Sequence, residues 1–230
     1  IRYQAERTSI FGFASGTRPD QAMAISAATG ASRVRFVYPD IATITLTDVL
    51  NTSRNYLVDG RYLAVAVTAS TTSPTVDSAT PWESRQLVGF TSLNRRLDAV
   101  TANQTANGGI TILEDRAPFL RIRHGLTSDM SNILMKTPTI IQVADDIQRR
   151  IRAVLGIYTG TKFLPQILGQ IEGRLAEMFK QAIQEQIITA FTGIRVSLDP
   201  EDPTAILVEA FYQPVFPLLY IMVTLRVSAR

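Results

Sequence analysis

The sequence predicts an α+β protein (mixed α/β) with two units, residues 1–125 and residues 126–230. Strand-like and helix-like patterns interleave through the first unit, which is typical of an α/β domain. In the second unit, a short extended run and two amphipathic helix patterns precede three strand patterns. This order favours two helices packed on a small, mostly antiparallel sheet, with an extended β-strand at the C-terminus.

The composition is that of a globular chain and excludes several functional classes. Hydrophobic residues make up 46% of the 230 residues, the net charge is +3, and there is no Lys/Arg-rich run, so direct nucleic-acid binding is not implied. The absence of cysteine excludes disulfides, thiolate metal sites and cysteine nucleophiles. No apolar run is long enough for a transmembrane helix, and no membrane insertion is expected. The first residue, Ile1, is not a methionine, which leaves open a missing N-terminal part.

The first unit is predicted to contain short strands separated by polar helices. Residues 1–17 are expected to form a strand followed by a loop, and further strand patterns occur at residues 33–38, 41–47, 87–90, 110–113 and 118–123. Helices are expected at residues 20–29 and 92–107, because Gly30 and the pair Gly108-Gly109 stop them. The small apolar run 61–69 is interpreted as a helix, residues 51–59 as a polar connection, and residues 70–81 as a loop.

The second unit opens with a loop at residues 125–136 and an extended run at 139–142. Apolar residues at helical spacing then predict an amphipathic helix over residues 143–157 and a longer one over 163–186. Strands are predicted at residues 187–198 and 205–212, separated by the acidic, proline-containing turn 199–203.

The last stretch, residues 218–230, alternates with a period of two. One face consists of Leu219, Ile221, Val223, Leu225 and Val227. This pattern predicts a β-strand of about 36 Å over its first eleven residues. Such a strand either pairs within its own domain or adds to the sheet of another chain, and the residue pattern alone leaves both possibilities open.

No motif predicts a catalytic, cofactor or metal site. His124 is the only histidine, and no nucleophile elbow accompanies it. The segment 156–162 is too short for a phosphate loop and follows a helix. Asp145 and Asp146 are expected to cap the N-terminus of the first long helix, and no acidic partner for a metal site is evident.

Basic residues are concentrated around the first long helix. Residues 116–162 contain eight basic and three acidic residues, a local surplus of five positive charges. One interpretation is an ordinary solvated helix face, and the other is a contact surface for an acidic protein partner. The basic residues are Arg116, Arg121, Arg123, Lys136, Arg149, Arg150, Arg152 and Lys162.

The second half resembles the C-terminal region of contractile tail sheath proteins, from contractile-tailed phages and related injection systems. The resemblance is carried by residues 122–129 (IRHGLTSD), by 141–155 with its paired aspartates and arginines, and by 158–160 before the long helix. It continues through the acidic turn and the proline-divided strands of residues 208–224. It is strong over residues 107–230 and weaker before them.

The resemblance implies a structural role without an enzymatic activity or a cofactor. Residues 1–125 would be an outer domain, and residues 126–230 a sheath-core domain that carries an arm, 218–230, for strand exchange between subunits. Arg149, Arg150 and Arg152 are the candidates for contact with an inner tube. The implied partners are further sheath subunits, the tail tube protein, and baseplate and tail terminator proteins. The implied location is the tail of a virion assembled in the cytoplasm of a host bacterium.

Two alternatives stay open. The chain could be another baseplate or tail-end component of the same machine, which would form rings without helical extension. It could also be a small α/β hydrolase that uses His124.

Overall fold

The structure, a computed structural model, describes residues 7–47, 49–73, 76–83, 85–116, 119–202 and 204–217. Within these ranges it confirms the α+β fold, with six helices and three sheets. The helices are α1 (Pro19–Thr29), α2 (Gly60–Thr72), α3 (Ala99–Asn107), α4 (Ile133–Lys136), α5 (Pro138–Gly156) and α6 (Gln166–Gln184). The strands are β1 (Ser9–Gly12), β2 (Val34–Tyr38), β3 (Ile41–Thr47), β4 (Ser53–Asp59), β5 (Gln86–Leu87), β6 (Ser92–Leu93), β7 (Thr111–Arg116), β8 (Phe119–His124), β9 (Ile188–Leu198) and β10 (Ile206–Pro214).

The largest sheet has five strands in the order β1-β2-β7-β8-β5. The first three are parallel, whereas β8 pairs antiparallel with both β7 and β5. Helix α2 approaches β1 so closely that a Cβ on Gly12 would lie 1.8 Å from the carbonyl oxygen of Gly60. One face of this sheet packs around the buried Trp82, with Val37, Leu63, Val67, Leu113, Leu120 and Ile122. A second cluster, with Phe13, Phe36, Tyr38 and Ile112 at its centre, packs against α1 and α3.

A three-stranded sheet, ordered β4-β3-β6, corrects one sequence prediction. Residues 53–59 form β4 instead of a polar connection, and they pair with β3 from Ile41↔Asp59 to Thr47↔Ser53. The sequence does not predict this strand, because its side chains are mostly polar and exposed. They form hydrogen bonds with the side chains of β3: the Thr45 hydroxyl donates to Oδ1 of Asn55 at 2.7 Å. Its last residue, Asp59, then caps α2 by accepting a hydrogen bond from the backbone N–H of Arg61.

Helices α5 and α6 pack with the antiparallel hairpin formed by β9 and β10. The two amphipathic helices and the two strands were predicted from the sequence and are confirmed. Their apolar faces meet in one cluster, whose fully buried members are Val143, Ile147, Ile171, Leu175, Phe179, Ala182 and Ile188.

Several predicted boundaries were wrong. Residues 139–142 are not extended, because α5 begins at Pro138, a residue suited to the first helical turn. Helix α3 begins only at Ala99, where Asp98 accepts hydrogen bonds from two backbone N–H groups. Residues 92–93, predicted as helix, form β6 instead. Residues 163–165 precede α6 and are not helical.

In the part of the chain that the structure covers, no helix is both long and apolar enough to cross a membrane. The predicted terminal strand, with Leu219, Ile221, Val223, Leu225 and Val227, lies outside the described residues.

Candidate assembly surface

The hairpin of β9 and β10 is a two-stranded sheet that packs on α6. The strands pair from Ile206↔Leu198 to Pro214↔Ile188, with an irregularity between Glu209 and Phe211. Opposite this irregularity, Gly193 has φ = +64°, a left-handed conformation that glycine adopts without strain. The extra residue there forms a β-bulge, which increases the local twist of the ribbon.

The two faces of the hairpin differ in character. On the inner face, Phe179 of α6 stacks on Phe191 with a centroid distance of 5.2 Å and lies 6.4 Å from Tyr212. On the outer face, Leu207 and Phe211 are 44% and 67% exposed. The alternation along β10 therefore places one row of side chains in the core and leaves the other row open to solvent.

Both long edges of this hairpin are open within the described residues. The sheet contains only β9 and β10, and no described strand pairs with the outer edge of either one. An open edge presents a row of backbone N–H and C=O groups that can pair with a further strand. Because α6 covers one face, an added strand at either edge would also extend the covered sheet.

The basic residues of α5 are less available than their sequence suggests. Arg150 pairs with Asp146 at 3.0 Å and with Glu185, just after α6, at 2.7 Å. Burial alone would lower the pKa of Arg150, but the carboxylates of Glu185 and Asp146 together raise it. Arg149 is more exposed, with a 60% accessible side chain and a longer contact of 3.5 Å to Asp146. Arg152 is half-buried.

Two other arginines of the predicted basic surplus are also neutralised. Arg121 and Arg123 lie next to each other on one face of β8, and both form ion pairs with Glu114 of β7. Glu114 and Glu185 fall outside the window of residues 116–162, so a count over that window misses them. The exposed positive surface around α5 is consequently smaller than the sequence indicates.

The position predicted for Asp145 and Asp146 was wrong. They lie in the interior of α5 and not at its N-terminus, because the helix begins at Pro138. Asp145 accepts two hydrogen bonds from Arg33, just before β2, at 2.8 and 2.6 Å. Nearby, Trp82 donates to Gln142 of α5 at 3.0 Å, so α5 binds the first unit through a row of polar contacts.

Sequence reasoning missed this row because its partners are far apart in the chain. Arg33 and Asp145 are separated by 112 positions, and Trp82 and Gln142 by 60. One signal was present: the alternation of residues 33–38 places Arg33 and Arg35 on the same face of a strand. Two arginines on one face of an otherwise apolar strand indicate a polar partner above it.

In the described part of the chain, the His124 side chain forms polar contacts with Asn103 and Arg123. Its Nε2 lies 3.1 Å from Oδ1 of Asn103 and 3.3 Å from Nε of Arg123. Burial, and then the charge of Arg123, lower the pKa of His124. Among the residues that the structure describes, no group of three or more histidine, aspartate or glutamate side chains could hold a metal ion.

Comparisons with known proteins give a result at the level of structure and none at the level of sequence. No family model matches the sequence, and no curated protein does. A sheath chain from the contracted PVC sheath complex, an extracellular contractile injection system, superposes with a TM-score of 0.76 at 11% identity. The match covers 97% of this chain and 65% of that one.

This chain has the fold of contractile sheath proteins. A chain of the anti-feeding prophage baseplate gives a TM-score of 0.69 at 13% identity and covers 92% of this chain and 66% of that one. The sheath tail protein Lin1278 of Listeria innocua gives 0.62 at 13% identity, over 92% and 54%. The chain thus spans between about half and two thirds of the length of these three neighbours.

Proposed function

We propose that this protein is a structural subunit of a contractile tail sheath. In this role it polymerises around an inner tube through strand exchange between subunits, and contraction of the polymer drives the tube through a target cell envelope. The sheath fold supports the proposal, as does the hairpin of β9 and β10, whose edges are open within the described residues. The partners would be further copies of this chain, a tail tube protein, and baseplate and tail terminator proteins. The location would be the tail of a virion assembled in a host bacterial cytoplasm.

The open hairpin is the observation that carries this proposal. Two-stranded ribbons are marginally stable by themselves, and three or more strands bury more surface. Helix α6 packs against one face of the hairpin through Phe179, and this contact holds the two strands and their edges in place. β9 has eleven residues, about 36 Å, and matches the length of the alternating pattern that begins at Leu218.

The arm, residues 218–230, is proposed as the strand that one subunit adds to another. Pro214 ends β10, and Pro217 precedes the arm, so two residues without backbone N–H groups interrupt the pairing there. This interruption favours a strand that leaves its own hairpin over one that continues it. The exchanged strand would bond at an open edge of β9 or β10 in a neighbouring subunit.

Contact with the tube is proposed for Arg149, Arg150 and Arg152. The more exposed Arg149 would contribute more than Arg150, whose charge is already compensated by Asp146 and Glu185. Arg149→Glu should weaken tube binding more than Arg195→Glu, which reverses a charge on an exposed residue of β9. Equal binding by the two variants in a co-sedimentation assay would argue against a tube-facing α5.

Electron microscopy of the full chain and of a truncated chain tests the proposed function. The full chain is expected to form rods or rings, alone at high concentration or with its tube protein. The chain without residues 218–230 should stay a folded monomer, with unchanged circular dichroism. Strict monomers of the full chain under all these conditions would contradict the proposal. Unfolding of the truncated chain would show that the arm belongs to its own core.

A baseplate component is the second candidate, because one structural neighbour is a chain of a baseplate. It predicts rings of fixed size that do not lengthen as the protein concentration rises. A hydrolase using His124 is disfavoured, because the hydrogen bonds of this side chain go to Asn103 and Arg123. Replacement of His124 by Asn is expected to leave assembly unchanged.

A further inference from the structure

A polar cleft of about 880 Å³ lies next to α5, and residues 71–73, 76–78 and 185 also line it. Its lining includes Arg35 of β2, Gln142 and Asp145 of α5, and Glu185 just after α6. Both signs of charge are present, so each charged group has to be considered with its own partner.

Arg35 is the unusual member of this lining. It is 1% exposed, and its guanidinium carbon lies 4.7 Å from the centroid of the Trp82 ring. Neither its Nε nor its Nη2 has a hydrogen-bond partner in the part of the chain that the structure describes. Burial lowers the pKa of Arg35 to about 10, although the charge of Asp145 acts in the opposite direction. A buried cation with two unused donors is costly, and such groups usually have a partner.

The carboxylates near Arg35 are already bound to other arginines. Asp145 accepts both of its hydrogen bonds from Arg33. Asp146 and Glu185 pair with Arg150, at 3.0 and 2.7 Å. The cleft therefore contains a set of satisfied ion pairs and, in addition, one guanidinium whose Nε and Nη2 atoms have no hydrogen-bond partner among the described residues.

The two unused nitrogens define the ligand. In a guanidinium group, the N–H bonds of Nε and Nη2 lie parallel along one edge, and this fork matches the two oxygens of a carboxylate. A phosphate dianion fits less well, because Asp77 also lines the cleft and would repel its second negative charge. The chemistry thus favours a single carboxylate group.

We propose that this cleft binds one carboxylate group through the Nε and Nη2 atoms of Arg35. Because both atoms are covered in the structure, the guanidinium turns toward the cleft on binding, and its contact with the Trp82 ring changes. The carboxylate comes either from a free small acid or from an acidic side chain of a second copy of the chain. Glu201 is suited to the second source, since it is exposed in the acidic turn between β9 and β10.

Trp82 provides a direct readout because it is the only tryptophan of the chain. In the first arm, dilute full-length protein is titrated with sodium acetate, and sodium chloride at equal ionic strength is the control. The proposal predicts a saturable change in tryptophan fluorescence with acetate only. In the second arm, a capped peptide of residues 199–203 is compared with the same peptide carrying Glu201→Gln.

Variants assign the response to Arg35. Arg35→Met should abolish it, and Arg35→Lys should weaken it by roughly tenfold or more, because a lysine lacks the fork. Arg54→Gln is the control, since it removes an exposed positive charge of β4 outside the lining of the cleft and should keep the response. If Arg35→Met does not fold, the comparison of Arg35→Lys with the parent chain decides the question.

Each outcome has a definite meaning. A response to acetate that depends on Arg35 supports the site and identifies a free acid as a sufficient ligand. A response to the peptide alone, lost with Glu201→Gln, supports the site and identifies a second copy as the source. No response to either ligand, or a response that persists in Arg35→Met, overturns the proposal. None of these results depends on whether the chain forms a sheath.

Discussion

Arg33 and Asp145 form a bidentate ion pair that connects the start of β2 to the middle of α5, with N–O distances of 2.8 and 2.6 Å. The Asp145 side chain is only 10% exposed, and that of Arg33 is 31% exposed. The pair therefore positions the second unit's first helix against the first unit. The pair also takes up the Asp145 carboxylate. Burial lowers the pKa of the nearby Arg35, and the charge of this carboxylate acts in the opposite direction.

Removal of this pair should lower stability. Arg33→Ala leaves a nearly buried carboxylate without its main partner, and we expect a loss of about 2 kcal/mol in the free energy of unfolding. Denaturant titration measures this loss. Arg18→Ala is the control, because its pair with Asp20 is 68% and 63% exposed; its effect should stay within about 0.5 kcal/mol. Equal effects of the two variants would contradict a structural role for the Arg33 pair.

Glu114 should contribute a pH-dependent part of the stability. Burial would raise the pKa of Glu114, but hydrogen bonds and charges of Arg121 and Arg123 outweigh it and lower the pKa below its ordinary value of 4.5. A carboxyl with a lowered pKa stabilises the fold above its unfolded-state pKa, and this stabilisation is lost as the pH falls through the folded-state pKa.

We therefore expect the stability difference between the parent chain and Glu114→Gln to be constant above about pH 5.5 and to shrink as the pH falls below about 4.5. Denaturant titrations at several pH values measure it. Glu172→Gln, on an exposed position of α6, controls for the loss of one charge. A difference that grows toward acidic pH would refute the assignment of Glu114.

Phe179 should be the main contact between α6 and the hairpin. It is fully buried between Phe191 and Tyr212. Phe179→Ala is expected to cost about 3–5 kcal/mol, as for other large-to-small changes in a core. Phe211→Ala, at a position that is 67% exposed, should change the stability of the monomer by less than about 0.5 kcal/mol. Thermal or denaturant unfolding of the monomer measures the stability loss of each variant. Similar losses for Phe179→Ala and Phe211→Ala would contradict the packing of Phe179 between α6 and the hairpin.

The bulge at Gly193 should be sensitive to a side chain. Its φ is +64°, and an added Cβ would lie 3.1 Å from Cδ2 of Phe211. We expect Gly193→Ala to destabilise the chain by about 1 kcal/mol. Gly169→Ala in α6, where nothing lies within 4 Å of the new Cβ, should stabilise it by about 0.5–1 kcal/mol. If both variants changed the free energy of unfolding in the same direction, the left-handed conformation of Gly193 in the bulge would be contradicted.

The sequence predicts the second unit well because its signals are local. The spacing of apolar residues defines α5 and α6, and the alternation on either side of the acidic turn defines β9 and β10. In contrast, the sequence predicts a polar connection where β4 lies. The exposed polar side chains of β4 find their hydrogen-bond partners only when this strand pairs with β3.

The polar contacts could not be predicted for a different reason. The partner of Asp145 is Arg33, and that of Trp82 is Gln142, and both pairings depend on how α5 packs on the first unit. Local patterns carry no information on such packing. The same limit explains why a charge count over residues 116–162 overstates the basic surface: Glu114 and Glu185 lie outside this window and neutralise arginines inside it.

The central claim, strand exchange between subunits, is tested most directly by cross-linking between two singly labelled chains. The chain has no cysteine, so engineered cysteines are the only thiols. Thr224→Cys places a thiol in the arm, and Ser197→Cys or Leu207→Cys places one on an exposed position of β9 or β10. An arm variant is mixed with a hairpin variant, and a short bis-maleimide links thiols that lie close together.

Strand exchange predicts a cross-linked dimer that contains one arm variant and one hairpin variant, identified by mass spectrometry. In a variant that carries both cysteines, the bis-maleimide should link the arm of one chain to the hairpin of another chain. It should not link the arm to the hairpin of the same chain. Internal links in the double variant, together with no dimers in the mixture, would show that the arm pairs within its own chain and would contradict the account.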